Sequence, residues 1–221
     1  MKDSPRPSYS YRPIYHTREL RCLGYKLVSD PVQEQSLSQK NSYFVHLDQV
    51  LEEIKAASDQ PETLQLAIKL PSVLISQKNL AFELSQLLEK HKYDKSKLLL
   101  LIKEESLSDL DVLNKALPQL ASLDFQLSVD DFLGRQNTGF SALESPFIRY
   151  LRISSEVTRS ALTSEAAKSY ARGTVILADR LSKKVIFEGV DTEETFRLLV
   201  DIGATLAQGD YFSKPVRFEK S

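Results

Sequence analysis

The sequence predicts an α/β fold, because short apolar runs alternate with amphipathic helical stretches along nearly the whole chain. Most runs are about four to seven residues long, and several lack strict alternation, which is typical of strands buried on both faces of a parallel sheet. The pattern leaves open whether the sheet is doubly wound or closed into a barrel. The runs cover residues 20–28, 66–70, 98–102, 125–129, 147–153, 185–188 and, ambiguously, 175–178.

Helical stretches separate the runs. Ser108 and Asp111 predict a capping box for a helix that Pro118 kinks or shortens. Asp191 predicts the start of another helix near the end of the chain, and Gly203 its end. A further helix is predicted over residues 164–181, and an earlier one carries an apolar stripe formed by Leu47, Val50, Leu51 and Ile54.

The chain divides into a short lead-in and one domain. Residues 1–10 are rich in Pro and Ser and predict a flexible lead-in. Beyond them no Pro-, Gly- or Ser-rich linker and no run of like charges interrupts the pattern. We therefore expect residues 11–221 to form a single domain.

Composition excludes several classes of function. The 29 basic and 30 acidic residues give a net charge of −1, which argues against a nucleic-acid-binding protein. The lone Cys22 excludes an internal disulfide, and the three histidines are not spaced as metal ligands. The longest apolar run, residues 98–102, is far shorter than the ~20 residues of a membrane helix. We expect a cytoplasmic protein without a secretory signal or a membrane segment.

Polar side chains follow three predicted strands, at the ends where α/β proteins gather functional residues. Asp130 and Asp131 are suited to binding a divalent cation, or else they form a turn or a helix cap. Glu188, followed by Gly189, is either a functional acid or a solvated loop residue. Gln208 can hydrogen-bond a base, or it lies in an ordinary turn.

Together and in this order, these segments resemble the EAL domain of bacterial cyclic di-GMP phosphodiesterases. The DDFG, KID, EGVET and QGYxFSKP segments of that family correspond to residues 130–134, 152–154, 188–192 and 208–215, and its QPI and GYEAL segments to residues 12–15 and 24–28. The resemblance spans residues 11–216. It implies a modified TIM-type (β/α) barrel with one antiparallel strand.

Three acids of the family pattern are missing from this sequence. Lys26 replaces the signature Glu, a metal ligand, and Ser154 replaces the Asp of the KID segment. Leu101 replaces the ligand Glu of the strand that follows the one ending near Lys69, and Glu104 or Glu105 corresponds to the next family acid.

Charged residues of this sequence also differ from the family pattern at three other positions. Lys69 stands where the family has Asn, and Arg152 where it has the Lys that helps to activate water. Asp30 replaces an Arg that faces the ligand phosphate. The family residues that survive are Asp130, Asp131, Glu188 and Gln208.

These changes predict the loss of metal binding. Three lost acids and two gained cations, Lys26 and Lys69, make the site about five charge units more positive than the family pattern. An ammonium at position 26 repels a divalent metal, so we expect no Mg²⁺ cofactor, no metal site and no catalytic residues. The alternative is that unselected mutations left solvent-exposed, unpaired charged residues at these positions. Our hypothesis is that ion pairs replace the metals, with Lys26, Lys69 and Arg152 facing Asp130, Asp131 and Glu188.

Two functions remain for a degenerate EAL domain, and both outrank an active phosphodiesterase. We expect a regulator that acts through protein–protein interaction, with an unidentified partner such as a transcription regulator, a motility component or another signalling enzyme. The alternative is a non-hydrolysing cyclic di-GMP sensor, in which Lys26 and Lys69 contact phosphate and Gln208 contacts a base. Asp30 counts against this alternative, because its carboxylate repels phosphate. Residues 133–154, near the dimer contact that the resemblance implies, are rearranged, which leaves dimerisation open.

Overall fold

Eight strands close into a barrel in chain order, β1 through β8. The computed structural model describes residues 9–28, 38–57, 65–132 and 141–218. Residues 1–8, Asp30 and residues 133–140, to which several predictions refer, lie outside the described residues. The strands are β1 (Ser10–His16), β2 (Arg21–Val28), β3 (Leu66–Leu70), β4 (Leu98–Lys103), β5 (Gln126–Phe132), β6 (Ile148–Ile153), β7 (Lys184–Phe187) and β8 (Leu206–Ala207).

Strand direction is uniform except for β1. This strand pairs antiparallel with both β2 and β8, while every other neighbouring pair is parallel. The prediction of a modified TIM-type barrel with one antiparallel strand is therefore confirmed, and the doubly wound alternative is excluded. The parallel strands all end at one mouth of the barrel, which we call the carboxyl end.

The two ends of the described chain meet beside β1. Tyr11 and Val216 exchange two backbone hydrogen bonds, each 2.8 Å long. Tyr9 is only 4% exposed and Ser10 begins β1. The prediction that the lead-in extends to residue 10 is therefore wrong for residues 9 and 10, because Tyr9 is buried against His46 and Ser10 is part of β1.

Helices form a layer outside the barrel. Residues 175–178, which the sequence left ambiguous, are helical, and the predicted helix over residues 164–181 is confirmed. The predicted apolar stripe of the first helix is buried against the barrel. The helices are α1 (Lys40–Ala57), α2 (Ser72–Ile75), α3 (Leu80–His91), α4 (Leu117–Ser122), α5 (Ser141–Glu144), α6 (Ser155–Thr163), α7 (Glu165–Arg180) and α8 (Glu193–Asp201), with 3₁₀ turns over Lys95–Lys97 and Glu104–Ser108.

The segment before α4 differs from its prediction. Ser108 lies in a 3₁₀ turn and donates to the carbonyl of Glu105, so the predicted capping box does not form. Asp109 takes the capping role instead, because its Oδ1 accepts from the backbone N–H of Asp111 at 2.8 Å. A π-helical stretch, Val112–Ala116, follows. It ends two residues before Pro118, which cannot donate a helical hydrogen bond.

The start of α8 is also shifted by one residue. Thr192 caps the helix by accepting from the N–H of Thr195, whereas Asp191 accepts from the N–H of Asp210. The predicted end is confirmed, since Gly203 adopts a φ of +81° just after the last turn. None of the helices in the described ranges is both long and apolar enough to cross a membrane.

The barrel interior is filled by a small apolar cluster distinct from the larger core between barrel and helices. It contains Ile14, Ala67, Leu101, Ile186 and Leu206, contributed by five different strands. Above this cluster, the last residues of the strands place polar side chains at the carboxyl end.

Candidate functional site at the carboxyl end of the barrel

Arg152 occupies the centre of the carboxyl end. It lies on β6, and its side chain is 0% exposed. Its Nε donates to Oδ1 of Asp130 at 3.0 Å, and its Nη2 donates to Oε1 of Gln208 at 3.0 Å. The same Nη2 also donates to Oε1 of Glu188. One guanidinium thus joins side chains from β5, from the end of β7 and from the end of β8.

Lys26 adds a second cation to this group. Its Nζ lies 3.0 Å from Oε1 of Glu188, and the two side chains are 14% and 17% exposed. Glu188 therefore accepts hydrogen bonds from a guanidinium and an ammonium at once. We call Lys26, Asp130, Arg152, Glu188 and Gln208 the Arg152 cluster.

Neighbouring charges shift the pKa values of Glu188 and Arg152. Burial acts to raise the pKa of Glu188, but Arg152 and Lys26 outweigh it and lower the pKa to about 2. Burial likewise acts to lower the pKa of Arg152, and the charges of Glu188 and Asp130 raise it above its ordinary value. Glu188 and Arg152 therefore remain charged over the physiological range of pH.

A β-bulge separates the two adjacent aspartates. Between Val129 and Phe132 the register with β6 shifts, and Asp131 adopts a φ of +55°. Asp130 consequently points into the protein, whereas Asp131 lies exposed at the rim. Partial desolvation, followed by the charges of Asp130 and Glu188, raises the pKa of Asp131, and Lys26 and Lys69 act against that rise.

Backbone hydrogen bonds and a tight glycine fix the two ends that supply Glu188 and Gln208. The N–H of Glu188 donates to the carbonyl of Ile153 at 3.0 Å, and the N–H of Gln208 donates to the carbonyl of Phe187 at 2.8 Å. A side chain at Gly209 would place its Cβ 2.1 Å from the carbonyl oxygen of Val190. Only glycine allows these two loops to approach so closely.

Two carboxylates of the site, those of Asp130 and Glu188, are engaged by cations. Across the parts of the chain that the structure describes, no three His, Cys, Asp or Glu side chains are grouped to hold a metal ion. Asp130 and Glu188 already accept from Arg152, and Glu188 also from Lys26. The donor set does not fit the pair of divalent ions that the resemblance implies.

Comparison with known proteins identifies the family. The model of the EAL domain matches residues 8–215. The chain belongs to the EAL domain family. Its fold agrees with the solved "Structure of EAL Enzyme Bd1971 - cAMP and cyclic-di-GMP bound form", with a TM-score of 0.84 at 22% identity over 94% of this chain and 61% of that one.

Two curated relatives illustrate the sequence similarity. The uncharacterized protein Rv1354c of Mycobacterium tuberculosis is 33% identical over 130 residues, which cover 57% of this chain and 20% of that protein. The cyclic di-GMP phosphodiesterase PA2567 of Pseudomonas aeruginosa is 27% identical over 154 residues, covering 69% of this chain and 26% of that protein. The chain thus spans a small part of the length of these relatives.

Positions at which the resemblance implies acids make other contacts in this structure. Leu101 is part of the apolar interior cluster. Ser154 caps α6, where its Oγ accepts from the N–H of Val157 at 3.4 Å. Of the two candidates for the next EAL acid, Glu104 is 4% exposed and points inward, whereas Glu105 is exposed, with an oxygen 3.8 Å from Nζ of Lys103.

One further pair at this EAL end escaped the sequence reasoning. Arg12 and Asp210 form an ion pair at 2.6 Å between β1 and the loop after β8. Arg12 stands at the Gln of the QPI segment and Asp210 at the Tyr of the QGYxFSKP segment, so both differ from the family pattern. Because both residues differ from the family pattern and carry opposite charges, the sequence indicates that they form an ion pair.

A small cavity lies beside the Arg152 cluster. The cavity measures about 240 Å³ and is lined by Tyr43, His46, Lys69, Lys103 and Asp130 together with apolar side chains. Its volume falls below the ~300–1,000 Å³ of common small-molecule sites. Both Tyr43 Oη and His46 Nε2 are buried without a hydrogen-bond partner, and burial lowers the pKa of His46.

Proposed function

We propose that this EAL domain is catalytically inactive and acts as a regulator by binding another protein. The observation that carries the proposal is the Arg152 guanidinium, which is fully buried and hydrogen-bonded to Asp130, Glu188 and Gln208. In this proposal internal ion pairs have replaced the metals of the family, and the domain needs no Mg²⁺.

Electrostatics support the loss of catalysis. Hydrolysis with two metals requires carboxylates that balance four positive charges within a few ångströms. Here Lys26 and Arg152 already supply positive charge to Glu188. A divalent ion would have to displace both cations or lie beside them, and like charges at close range repel by a few kcal/mol even when partly screened.

An activity assay tests this part of the proposal. We expect no linear dinucleotide when the purified chain is incubated with cyclic di-GMP and excess Mg²⁺ or Mn²⁺, followed by chromatography. A catalytically competent EAL domain in the same buffer controls for the reagents. Product that accumulates in proportion to the amount of this protein would overturn the proposal.

An apolar stripe on the solvent side of α7 supports the binding of a protein. The side of this helix that faces the protein is narrow and made of Ala171, Thr174 and Ala178. Large apolar residues are exposed elsewhere on the helix and just after it, namely Tyr170, Ile176, Leu177 and Leu181. Tyr170, Leu177 and Leu181 recur at helical spacing, and such exposed stripes mark protein interaction sites. The partner that fits is a protein with a complementary apolar surface.

A matched pair of variants tests this surface. Leu177→Asp places a charge in the stripe, and Val45→Asp places one at an exposed apolar residue on α1. We expect a partner recovered from the native cell and then purified to bind the parent chain and Val45→Asp equally, and Leu177→Asp at least tenfold more weakly. Equal binding by all three would contradict the role of this stripe.

Non-hydrolysing cyclic di-GMP sensing is the second candidate function. Two cations at the carboxyl end, Lys26 and Lys69, favour it, as does the cyclic di-GMP in the bound form of Bd1971. The engagement of Lys26 by Glu188 and of Gln208 by Arg152 favours the first candidate. Calorimetry without metal distinguishes them, because saturable one-to-one binding of cyclic di-GMP would support the sensor and no heat would support the regulator.

A further inference from the structure

A large cavity lies at the opposite mouth of the barrel, where the parallel strands begin. Its volume is about 970 Å³. The starts of β3, β4, β5, β6 and β7 border it, together with the end of the antiparallel β1 and the last turns of α7. This amino-end cavity shares no lining residue with the Arg152 cluster, so its occupancy does not depend on the proposed function.

The floor of the amino-end cavity is apolar. It is the underside of the interior cluster, and side chains from several strands reach it, including Ile14, Ala67, Ile186 and Leu206. Leu23, Leu99 and Tyr150 complete the floor and are only partly buried. Apolar side chains that remain partly exposed inside a concave site gain free energy when a ligand covers them.

The rim of the cavity is strongly basic. Basic side chains from four different segments line it, namely Arg21, Lys97, Arg180, Lys183 and Lys184, with His16 beside them. Asp179 is the single acidic residue among the described residues of the lining. A rim of this charge attracts anions.

Three of these cations form no ion pair with a carboxylate among the residues that the structure describes. Arg21 is paired with Glu19 at 3.1 Å, and Lys183 donates to the carbonyls of Ser145 and Ile148. Within the described ranges, no ion pair joins Lys97, Arg180 or Lys184 to an acid, although Nζ of Lys184 lies 6.0 Å from the ring centre of Tyr150. Their donors are therefore available to a ligand.

We propose that the amino-end cavity is a binding site for a small amphipathic anion. The ligand has an apolar body, aromatic or aliphatic, and one anionic head such as a carboxylate, sulfonate or phosphate. The body covers the floor, and the head is held at the rim by Lys97, Lys184 and Arg180. A neutral apolar molecule would lose the ionic contacts, and a small inorganic anion would lose the apolar contact.

The test uses the fluorescent probe 8-anilinonaphthalene-1-sulfonate, which combines an aromatic body with one sulfonate. We expect saturable one-to-one binding to the folded chain, weakened when salt is raised from ~50 to ~500 mM. The variant Lys97→Gln/Lys184→Gln should bind the probe at least fivefold more weakly. The control Lys78→Gln/Lys214→Gln, which removes the same charge from two exposed lysines elsewhere, should bind within twofold of the parent.

Methyl NMR of the probe complex locates the site. Shifts confined to floor methyl groups, including those of Ile14, Ile186 and Leu206, support the proposal. Shifts confined to Leu177 and Leu181 on the surface, or equal loss of affinity in both double variants, would overturn it. Should the first double variant fail to fold, Arg180→Gln, a change at one exposed side chain, gives the same comparison with an expected loss of at least twofold.

Discussion

The ammonium of Lys26 lies 3.0 Å from the carboxylate of Glu188, although 162 residues separate them along the chain. Lys26 stands at the position of the signature Glu in the EAL family pattern. Glu188 matches an acid of that pattern. Such a pair forms across the barrel only because β2 and β7 end at the same mouth. Their proximity makes the stability of this end depend on charge balance.

Removing the central cation should destabilise the fold. Arg152→Met leaves Asp130 and Glu188 without their buried partner, so we expect the free energy of unfolding to fall by about 3–5 kcal/mol. Urea unfolding at neutral pH measures the change. Arg149→Met is the control, because Arg149 lies on the same strand and is exposed, and it should change the free energy by less than about 0.5 kcal/mol. Similar values for both variants would show that the cluster adds no stability.

Metal ions should leave the melting temperature of the parent chain unchanged. A ligand that binds only the folded state stabilises it, by about 2.7 kcal/mol when its concentration is a hundredfold above Kd. We expect a change of less than about 1 °C with Mg²⁺ or Mn²⁺ at millimolar concentration.

A combined variant restores the family pattern through Lys26→Glu, Lys69→Asn, Leu101→Glu, Arg152→Lys and Ser154→Asp. If this variant folds, its melting temperature should rise with Mg²⁺, and a comparable rise in the parent would refute the replacement of metals by ion pairs.

Acid should weaken the fold through Glu188. Its pKa is lowered from 4.5 to about 2 in the folded state, so its contribution to stability is complete above pH ~4.5 and is lost as the pH falls toward 2. We expect the free energy of unfolding to drop by a few kcal/mol across this window. Glu188→Gln removes the titrating group and should flatten the dependence, which urea titrations at pH 5, 4 and 3 measure. An unchanged slope in that variant would assign the acid sensitivity to other carboxylates.

Two glycines should respond in opposite directions to alanine. Gly209→Ala forces a methyl group against the carbonyl of Val190, and we expect a loss of roughly 1–3 kcal/mol or more. Gly173 lies within α7 with open space around it, so Gly173→Ala should stabilise the protein by about 0.5–1 kcal/mol. Thermal and urea unfolding measure both. A neutral effect at Gly209 would mean that the loop carrying Gln208 can move aside.

Much of the fold was predictable because buried parallel strands appear in the sequence as apolar runs. The run at residues 66–70 coincides with β3, and the run at residues 98–102 lies within β4. The strand β1 had no such run, since Arg12, Pro13 and His16 interrupt it. Residues 175–178 were ambiguous because α7 carries apolar residues on its solvent side, where the usual helical pattern has polar ones.

The site was predictable in its charges but less so in its contacts. The departures from the family pattern identified Lys26, Lys69 and Arg152, and the structure brings Lys26 and Arg152 into contact with Glu188. That Gln208 accepts from Arg152 was not foreseen, because it depends on side-chain distances between β6 and β8. The amino-end cavity gave no local signal at all, since its lining comes from the beginnings of many separate strands.

The backbone contact between Tyr11 and Val216 has a consequence for engineering. Because these two segments lie edge to edge, a short peptide can connect residue 218 to residue 9 without crossing the barrel. New termini opened at an exposed turn, such as the one at Ser182, would then give a circular permutant with the same strand order around the ring. A reporter protein inserted at that turn would lie close to the amino-end cavity.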